Sequence, residues 1–207
     1  MGDPHPPDGD RRRGPPAEDD RTRWDRRWSE RGPGAGHPEL RRLVRGAASP
    51  PGRLLDVAGG ASGDAVAFAR DGWDVTLVDV SPVAVDLVTA AAHLHHLPVT
   101  GVVRDLTRES PPAGPWDVIV VAHYLQRDLF ADLRRLLAPG GALVAVVATR
   151  INLERHRRPG RAFTVDPGEL VDLVAGPADE RVLVVEHHSE AWRPNGRHEA
   201  HVVARRI

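Results

Sequence analysis

Two residue types that often carry chemistry are missing from this 207-residue chain, cysteine and lysine, and tyrosine occurs once, as Tyr124. Without cysteine, the chain can form no disulfide, no thiolate metal site and no cysteine nucleophile. Its 28 basic residues other than histidine are all arginines. Every mechanism that needs a lysine, as a Schiff base or as the partner of a catalytic tyrosine, is therefore excluded.

Long apolar runs are also absent. No segment approaches the roughly 20 apolar residues of a membrane span, and the N-terminus lacks the apolar core of a signal peptide. The formal net charge of −1 gives no indication of a nucleic-acid partner. We therefore expect a cytoplasmic protein that binds neither membranes nor nucleic acid. The richness in arginine, alanine, glycine, proline and valine is typical of a GC-rich bacterial genome.

The chain divides into a tail and one domain. Residues 1–20 consist largely of proline, glycine and charged side chains, so they have almost nothing to bury and are predicted to be disordered. Residues 21–207 are long enough for a single domain with a full core. At its start, Trp24 and Trp28 are spaced to share one face of a short helix. Two interpretations stay open: a helix that docks through its indoles, or a lid over a cofactor.

Strands and helices alternate from residue 53 onward. The predicted strands are 53–57, 74–78, 98–103, 117–122 and 142–148, and the predicted helices are 39–45, 62–70, 82–95, 129–137 and, capped by Asp166, 167–174. Two late strands, 181–186 and 201–205, have no helix between them and must be antiparallel. The pattern predicts an α/β fold, a doubly wound, mostly parallel, seven-stranded Rossmann-like sheet with an antiparallel C-terminal hairpin at its edge.

The segment 54–65, Leu-Leu-Asp-Val-Ala-Gly-Gly-Ala-Ser-Gly-Asp-Ala, joins the first strand to a helix through a turn of small residues. Small residues allow backbone N–H groups to approach a ligand closely. In a doubly wound sheet the ligand lies beyond the carboxyl ends of the strands, where the strand order reverses. The turn therefore predicts a nucleotide-like cofactor at this edge of the sheet.

Polar side chains also follow the other strands. Asp79 ends the second strand, roughly 20 residues after the turn, where an acid can accept both ribose hydroxyls. Asp105 follows the third strand, and with the apolar Leu106 beside it suits an adenine ring and its exocyclic amine. His123 and Tyr124 follow the fourth strand, close to the expected position of a reacting group.

Two cofactors fit the glycine spacing. A nicotinamide dinucleotide explains Gly60, Gly63 and Asp79, but it would place Asp56 near a pyrophosphate. Dehydrogenases with a similar Gly-Gly-Ala-Ser-Gly turn also need a tyrosine–lysine pair, which a chain without lysine cannot supply. S-adenosylmethionine has no pyrophosphate, and its amino and sulfonium groups are cationic. An acid at Asp56 is then favourable by Coulomb attraction.

At these residues the chain resembles the class I S-adenosylmethionine-dependent methyltransferases. The resemblance covers about residues 24–207, and it extends to small-molecule enzymes near the tellurite- and thiopurine-resistance methyltransferases. Its motifs are the glycine-rich turn at 54–65, Val-Thr-Leu-Val-Asp-Val-Ser at 75–81, Trp-Asp-Val-Ile-Val-Val-Ala at 116–122, the Leu-Ala-Pro-Gly-Gly turn within 133–147, and the Trp-Asp-Arg-Arg-Trp opening at 24–28.

The resemblance implies a small-molecule methyltransferase that works by in-line methyl transfer to a nucleophilic acceptor. It implies S-adenosylmethionine as cofactor, held by Trp24, Asp56, Ala58, Gly59, Gly60, Asp79, Val80, Asp105, Leu106, Ala122 and His123. His123 is the candidate general base, and Tyr124 is the candidate residue that steers the substrate. Two alternatives stay open: a non-catalytic module that binds S-adenosylmethionine or a nucleotide, and an NAD(P)-dependent oxidoreductase.

Two residues depart from the family pattern. Ala58 and Ser62 stand where glycine is usual, and we expect Gly63 to take the unusual backbone conformation after Ser62. Outside the turn, His93, His95 and His96 resemble a metal cluster, but no acid stands at ligand spacing, so no metal site is predicted. The arginine-rich segment 155–158 follows the fifth strand on the expected active-site side and could bind an anionic substrate.

Overall fold

The computed structural model describes residues 19–48, 50–177 and 182–207. The α-helices are α1 (Asp20–Arg31), α2 (Pro38–Ala47), α3 (Asp64–Arg70), α4 (Pro82–Leu94), α5 (Leu129–Leu136) and α6 (Glu169–Ala175). The strands are β1 (Arg53–Val57), β2 (Asp74–Asp79), β3 (Val99–Val103), β4 (Trp116–Ala122), β5 (Leu137–Ala148), β6 (Leu183–Trp192) and β7 (His198–Arg206). Two short 3-10 helices, Arg150–Glu154 and Arg161–Phe163, follow β5.

These seven strands form one sheet in the order β3-β2-β1-β4-β5-β7-β6. Strands β1 to β5 run parallel, whereas β7 is antiparallel to both β5 and β6. The predicted fold class is confirmed. Since the chain proceeds outward from β1 through β2 and β3 and then returns to β4, the strand order reverses between β1 and β4. A ligand crevice is expected at the carboxyl ends of these two strands.

Helices cover both faces of the sheet. Adjacent residues of the central strands point to opposite faces, so that Leu54 and Val118 pack with α2, α3 and α4, whereas Leu55 and Ile119 pack with α5 and α6. All four side chains are fully buried. The near-continuous apolar sequence of these strands follows from burial on both faces, as is usual for parallel sheets.

Side-chain caps fix the starts of α1 and α4. Ser81 Oγ accepts the N–H of Ala84 at 3.1 Å, and Pro82 occupies the first turn, as predicted for α4. Asp19 Oδ1 accepts the N–H of Thr22 at 2.8 Å, so α1 begins at Asp20, inside the boundary predicted for the tail. Residues 1–18 lie outside the described residues, and disorder of the tail stays a prediction.

Two predicted helix starts were wrong by about two residues. The helix expected from residue 62 begins later because Gly63 has a φ of 90°, which is not helical. The helix expected from residue 167 begins after Gly168, whose φ is 79°. Asp166 does not cap that helix; its carboxylate accepts from Arg150 Nε at 2.6 Å instead.

The C-terminal hairpin also differs in detail from the prediction. The hairpin lies at one edge of the sheet as predicted, with β6 outermost, because β7 is inserted between β5 and β6. Both strands are longer than predicted, and Arg181, the first residue of the predicted 181–186 strand, lies outside the described residues. None of the helices in the described ranges has the length and apolar character needed to cross a membrane.

Candidate functional site

The turn between β1 and α3 is built from backbone conformations that favour glycine. Ala58, Gly60 and Gly63 have φ values of 51°, 56° and 90°. The prediction that Gly63 takes an unusual φ is confirmed. At Ala58 the replacement of the family's glycine introduces backbone strain, because an L-residue disfavours a positive φ. The chain leaves the buried strand β1, reverses over these residues and enters α3.

Asp56 lies directly beneath this turn. It is 2% exposed, and its Oδ2 has no hydrogen-bond partner among the described residues. A Cβ at Gly59 would come within 2.3 Å of this oxygen, so only glycine leaves room for the carboxylate. Burial, followed by the charges of Asp64 and Asp79, raises the pKa of Asp56 well above its usual value. A buried acceptor without a donor fits a cationic ligand group placed over the turn.

Asp79, at the end of β2, is held next to the same turn. Its Oδ2 accepts the N–H of Gly60 and its Oδ1 accepts the N–H of Ser81, both at 2.9 Å. Burial raises the pKa of Asp79, and the backbone N–H groups oppose that rise. The carboxylate therefore links the ends of β1 and β2, and its contact with a ribose stays a prediction. The neighbouring Val80 is half-buried.

The N-terminal helix covers the turn. A Cβ at Gly60 would meet the Trp28 ring at 2.5 Å, so it is Trp28 that contacts the turn. Trp24, which the sequence assigned to the cofactor, stacks on Trp28 with ring centroids 6.2 Å apart. Asp25 accepts the hydroxyl of Ser81 at 2.5 Å and thereby fixes α1 to the start of α4.

At the end of β3, Asp105 and Leu106 occupy different environments. Asp105 caps its own turn, because its Oδ1 accepts the N–H of Thr107 at 3.0 Å and the Thr107 hydroxyl at 2.6 Å. The hydrogen bond from the hydroxyl is the main cause that lowers the pKa of Asp105. The Asp105 side chain is 30% exposed. Leu106 is buried in the core on the face of the sheet that α5 and α6 cover. The contact of both residues with adenine stays a prediction.

His123 follows Ala122, the half-buried last residue of β4, with the unusual φ of 58°. Its N–H donates to the Val146 carbonyl at 2.8 Å, and its side chain is 31% exposed. Its Nδ1 lies 3.8 Å from Glu199 Oε1. Burial lowers the pKa of His123, although the charge of Glu199 opposes this, so the imidazole is neutral at neutral pH. A neutral, partly exposed imidazole at the crevice can accept a proton.

Tyr124 is not available as a base. Its hydroxyl donates to Gln126 Oε1 at 2.6 Å, and Gln126 Nε2 donates in turn to the Leu106 carbonyl at 3.1 Å. Burial, with the charges of nearby aspartates, raises the pKa of Tyr124 to about 12. The phenol therefore stays protonated, and the structure places it half-buried beside the site.

Sequence reasoning missed a group of polar residues on β7. Glu199 is buried at the start of β7, where it pairs with Ala148 at the carboxyl edge of the sheet. Its Oε2 lies 3.2 Å from His201 Nε2. Burial acts to raise the pKa of Glu199, but His201 and the charge of His123 outweigh it and lower the pKa. The strand was predicted to begin at His201, so its first residues were not assigned to the site.

A second missed pair joins the chain before α2 to the start of α3. His37 Nδ1 lies 2.6 Å from Asp64 Oδ2, and the His37 N–H donates to Asp64 Oδ1 at 2.5 Å. The His37 ring is 4.9 Å from that of His123, measured between centroids. The signal in the sequence was Asp64, an acid that directly follows the last glycine of the turn.

The other clusters singled out from the sequence lie elsewhere. His93, His95 and His96 are exposed at the C-terminal end of α4, away from the carboxyl edge of the sheet. No group of three or more potential metal-ligating side chains occurs within the described ranges. In the arginine-rich segment, the Arg155 guanidinium stacks on Trp192 at 3.9 Å.

The fold and the residues at its carboxyl edge define a class: a Rossmann-like protein that binds a nucleotide-like, partly cationic cofactor. Residues 54–141 match the family model of the methyltransferase domain. This match and the motifs of the chain support a class I S-adenosylmethionine-dependent methyltransferase, as the sequence predicted. S-adenosylmethionine is the cofactor of that family. That Asp56 and Asp79 face its cationic and ribose groups stays a prediction.

Solved structures share the fold at low sequence identity. TehB from Haemophilus influenzae is 17% identical with a TM-score of 0.69, over 89% of this chain and 67% of that one. A TehB-like methyltransferase from Corynebacterium glutamicum is 19% identical with a TM-score of 0.62, over 90% and 95%. The 1,6-didemethyltoxoflavin-N1-methyltransferase from Burkholderia thailandensis is 19% identical with a TM-score of 0.61, over 82% and 77%. No curated protein matches the chain.

Proposed function

We propose that the protein transfers the methyl group of S-adenosylmethionine to a nucleophilic atom of a small molecule. The observation that carries this proposal is His123, held at the end of β4 by a φ of 58° with its imidazole 31% exposed at the crevice. The Burkholderia enzyme, which has the same fold, was crystallised with 1,6-didemethyltoxoflavin and S-adenosylhomocysteine. A small-molecule acceptor is proposed here by analogy with it.

Each cofactor residue has a distinct role in this proposal. Asp79 accepts from the ribose hydroxyls, and Asp56 provides negative charge below the cationic end of the ligand. Trp28 and Trp24 close the site from the side of α1. The cofactor supplies a methyl group on a positively charged sulfur, a leaving group that is already activated. Alignment and exclusion of water by these residues then provide most of the rate.

His123 accepts a proton from acceptors that are neutral before transfer. The bond between sulfur and the methyl carbon breaks, the bond from the acceptor atom to carbon forms, and the acceptor proton passes to the imidazole. Glu199, 3.8 Å from Nδ1, stabilises the imidazolium that results. An acceptor that is already an anion, such as a thiolate, needs no such transfer.

The ribose assignment is tested with Asp79→Ala. Loss of the carboxylate is expected to weaken binding of S-adenosylmethionine at least tenfold, by about 1.4 kcal/mol, as measured by isothermal titration calorimetry. Asp74→Ala is a matched control, since Asp74 is exposed at the opposite end of the same strand. Unchanged affinity in Asp79→Ala would refute the assignment.

The reaction is tested by transfer of radiolabelled methyl groups to a panel of phenols, thiols and amines. Turnover of at least one acceptor class is expected. His123→Gln is expected to slow transfer to neutral acceptors about 100-fold, while transfer to thiolates stays within about threefold. Cofactor binding without turnover across the panel would favour the alternative of a non-catalytic binding module.

Location in the bacterial cytoplasm stays a prediction.

A further inference from the structure

His37 is fixed beside the cofactor turn by the segment that precedes α2. Gly34 N–H donates to the Ala61 carbonyl at 2.7 Å, and Gly36 N–H donates to the Ser62 carbonyl at 2.6 Å. A Cβ at Gly34 would come within 2.6 Å of the Ser62 carbonyl oxygen, so this segment lies directly against the turn. The imidazole of His37 therefore has a defined position relative to the cofactor turn.

The imidazole is also fixed in its protonation pattern. The Asp64 carboxylate is only an acceptor when ionised, so the 2.6 Å contact requires that His37 Nδ1 donates. Within the part of the chain that the structure describes, Nε2 has no hydrogen-bond partner, and the side chain is 42% exposed. Nε2 can donate only when the ring is an imidazolium. The hydrogen bond to Asp64 favours that form, since it raises the pKa of His37.

His37 lies on the side of the turn opposite to Asp79. The two residues belong to the two ends of the crevice: Asp79 ends β2, Asp56 lies on β1, and His37 contacts His123, which follows β4. Strands β2 and β4 are two strand spacings apart, about 10 Å. A cofactor whose ribose is held by Asp79 must therefore extend its amino-acid end across β1 toward His37 and His123.

We infer that His37 donates from Nε2 to the α-carboxylate of the methionine end of the cofactor, and that Asp64 is the residue that positions it. The inference rests on the proposed function. Asp56 below the turn and His37 beside it would then recognise the two opposite charges of one amino acid, the ammonium and the carboxylate.

The test compares two ligands by isothermal titration calorimetry at pH 7.5. One is S-adenosylhomocysteine, and the other is its decarboxylated analogue, which keeps the amine. His37→Gln is expected to weaken binding of S-adenosylhomocysteine about tenfold, while the affinity for the analogue stays within about twofold. His93→Gln, an exposed imidazole at the end of α4, is expected to change neither. Equal losses for both ligands, or no loss, would overturn the inference.

Asp64→Asn gives an independent test that keeps the imidazole. Without the carboxylate, His37 is expected to be mostly neutral at pH 7.5 and protonated at pH 5.5. The groups that face it are Asp56, Asp64, Glu199 and His123, so each variant is compared with the natural protein at the same pH. We expect about tenfold weaker S-adenosylhomocysteine binding at pH 7.5 and less than threefold at pH 5.5.

The same loss in Asp64→Asn at both pH values would contradict the inference. The outcomes also separate it from the proposed function. If the natural protein binds neither S-adenosylmethionine nor S-adenosylhomocysteine, the proposed function itself fails. If it binds both, but the effect of His37→Gln does not depend on the ligand carboxylate, only the role of His37 is refuted.

Discussion

At the scale of single residues, the cofactor turn contains two unfavourable features that a ligand would relieve or exploit. Ala58 has a left-handed backbone with φ 51°, which costs an L-residue about 1 kcal/mol. Asp56 is buried, and one of its oxygens has no hydrogen-bond partner within the described ranges. Features of this kind concentrate at functional sites, because elsewhere they reduce stability without benefit.

Ala58→Gly is expected to stabilise the protein. Glycine removes the left-handed strain, and because it also increases the entropy of the unfolded chain, the expected net gain is about 0.5 kcal/mol. Urea denaturation measures the free energy of unfolding. Ala61→Gly serves as the control, since Ala61 is fully buried with no positive φ, and this substitution should destabilise. A loss of stability in Ala58→Gly would contradict the argument.

Asp56→Asn is expected to separate stability from binding. The pKa of Asp56 is raised in the folded protein, so its contribution to stability is present below its unfolded pKa of about 3.9 and decreases as the pH rises toward the folded pKa. The asparagine side chain does not titrate, so this decrease in stability is absent from the variant. Relative to the natural protein, Asp56→Asn should therefore gain stability with rising pH, by at most about 1.4 kcal/mol per pH unit.

Urea denaturation at pH 5 and pH 7.5 checks that gain, and calorimetry should show weaker binding of S-adenosylmethionine by the same variant. A stability difference that does not change with pH would show that the pKa of Asp56 is not raised in the folded protein.

At the scale of elements, α2 and α3 are joined by ion pairs between two arginines and one aspartate. Arg41 and Arg45, one turn apart on α2, both donate to the carboxylate of Asp71, which follows α3. The Asp71 side chain is 10% exposed. The hydrogen bond from Arg41 is the main cause that lowers the pKa of Asp71. This contact anchors α2, and with it His37 at the start of α2, against the helix that carries Asp64.

Asp71→Asn is expected to destabilise the protein by about 1 kcal/mol at neutral pH. Because the folded pKa is lowered, the stabilisation is present above the unfolded pKa and is lost as the pH falls through the folded value. Thermal unfolding at pH 7 and at pH 3 should therefore show a smaller difference between variant and natural protein at the lower pH. An equal or larger difference at pH 3 would argue that Asp71 stabilises the protein through packing rather than through its ion pairs with Arg41 and Arg45.

At the scale of the whole molecule, the sheet, its switch point and the acids that follow the strands could be predicted from the sequence. Local signals were sufficient there: Ser81 and Pro82 mark a helix start, and Asp56 and Asp79 directly follow apolar runs. His37 and Glu199 could not be predicted in the same way. They reach the site only because distant segments fold against the carboxyl edge, and no local pattern encodes that approach.

A crystal structure with S-adenosylhomocysteine bound would locate the cofactor site directly. Electron density is expected beyond the carboxyl ends of β1, β2 and β4, with both ribose hydroxyls within hydrogen-bond distance of Asp79. The amino-acid end should extend over Asp56 toward His37. Density elsewhere on the surface, or a ribose remote from Asp79, would contradict the central claim that this edge of the sheet is the cofactor site.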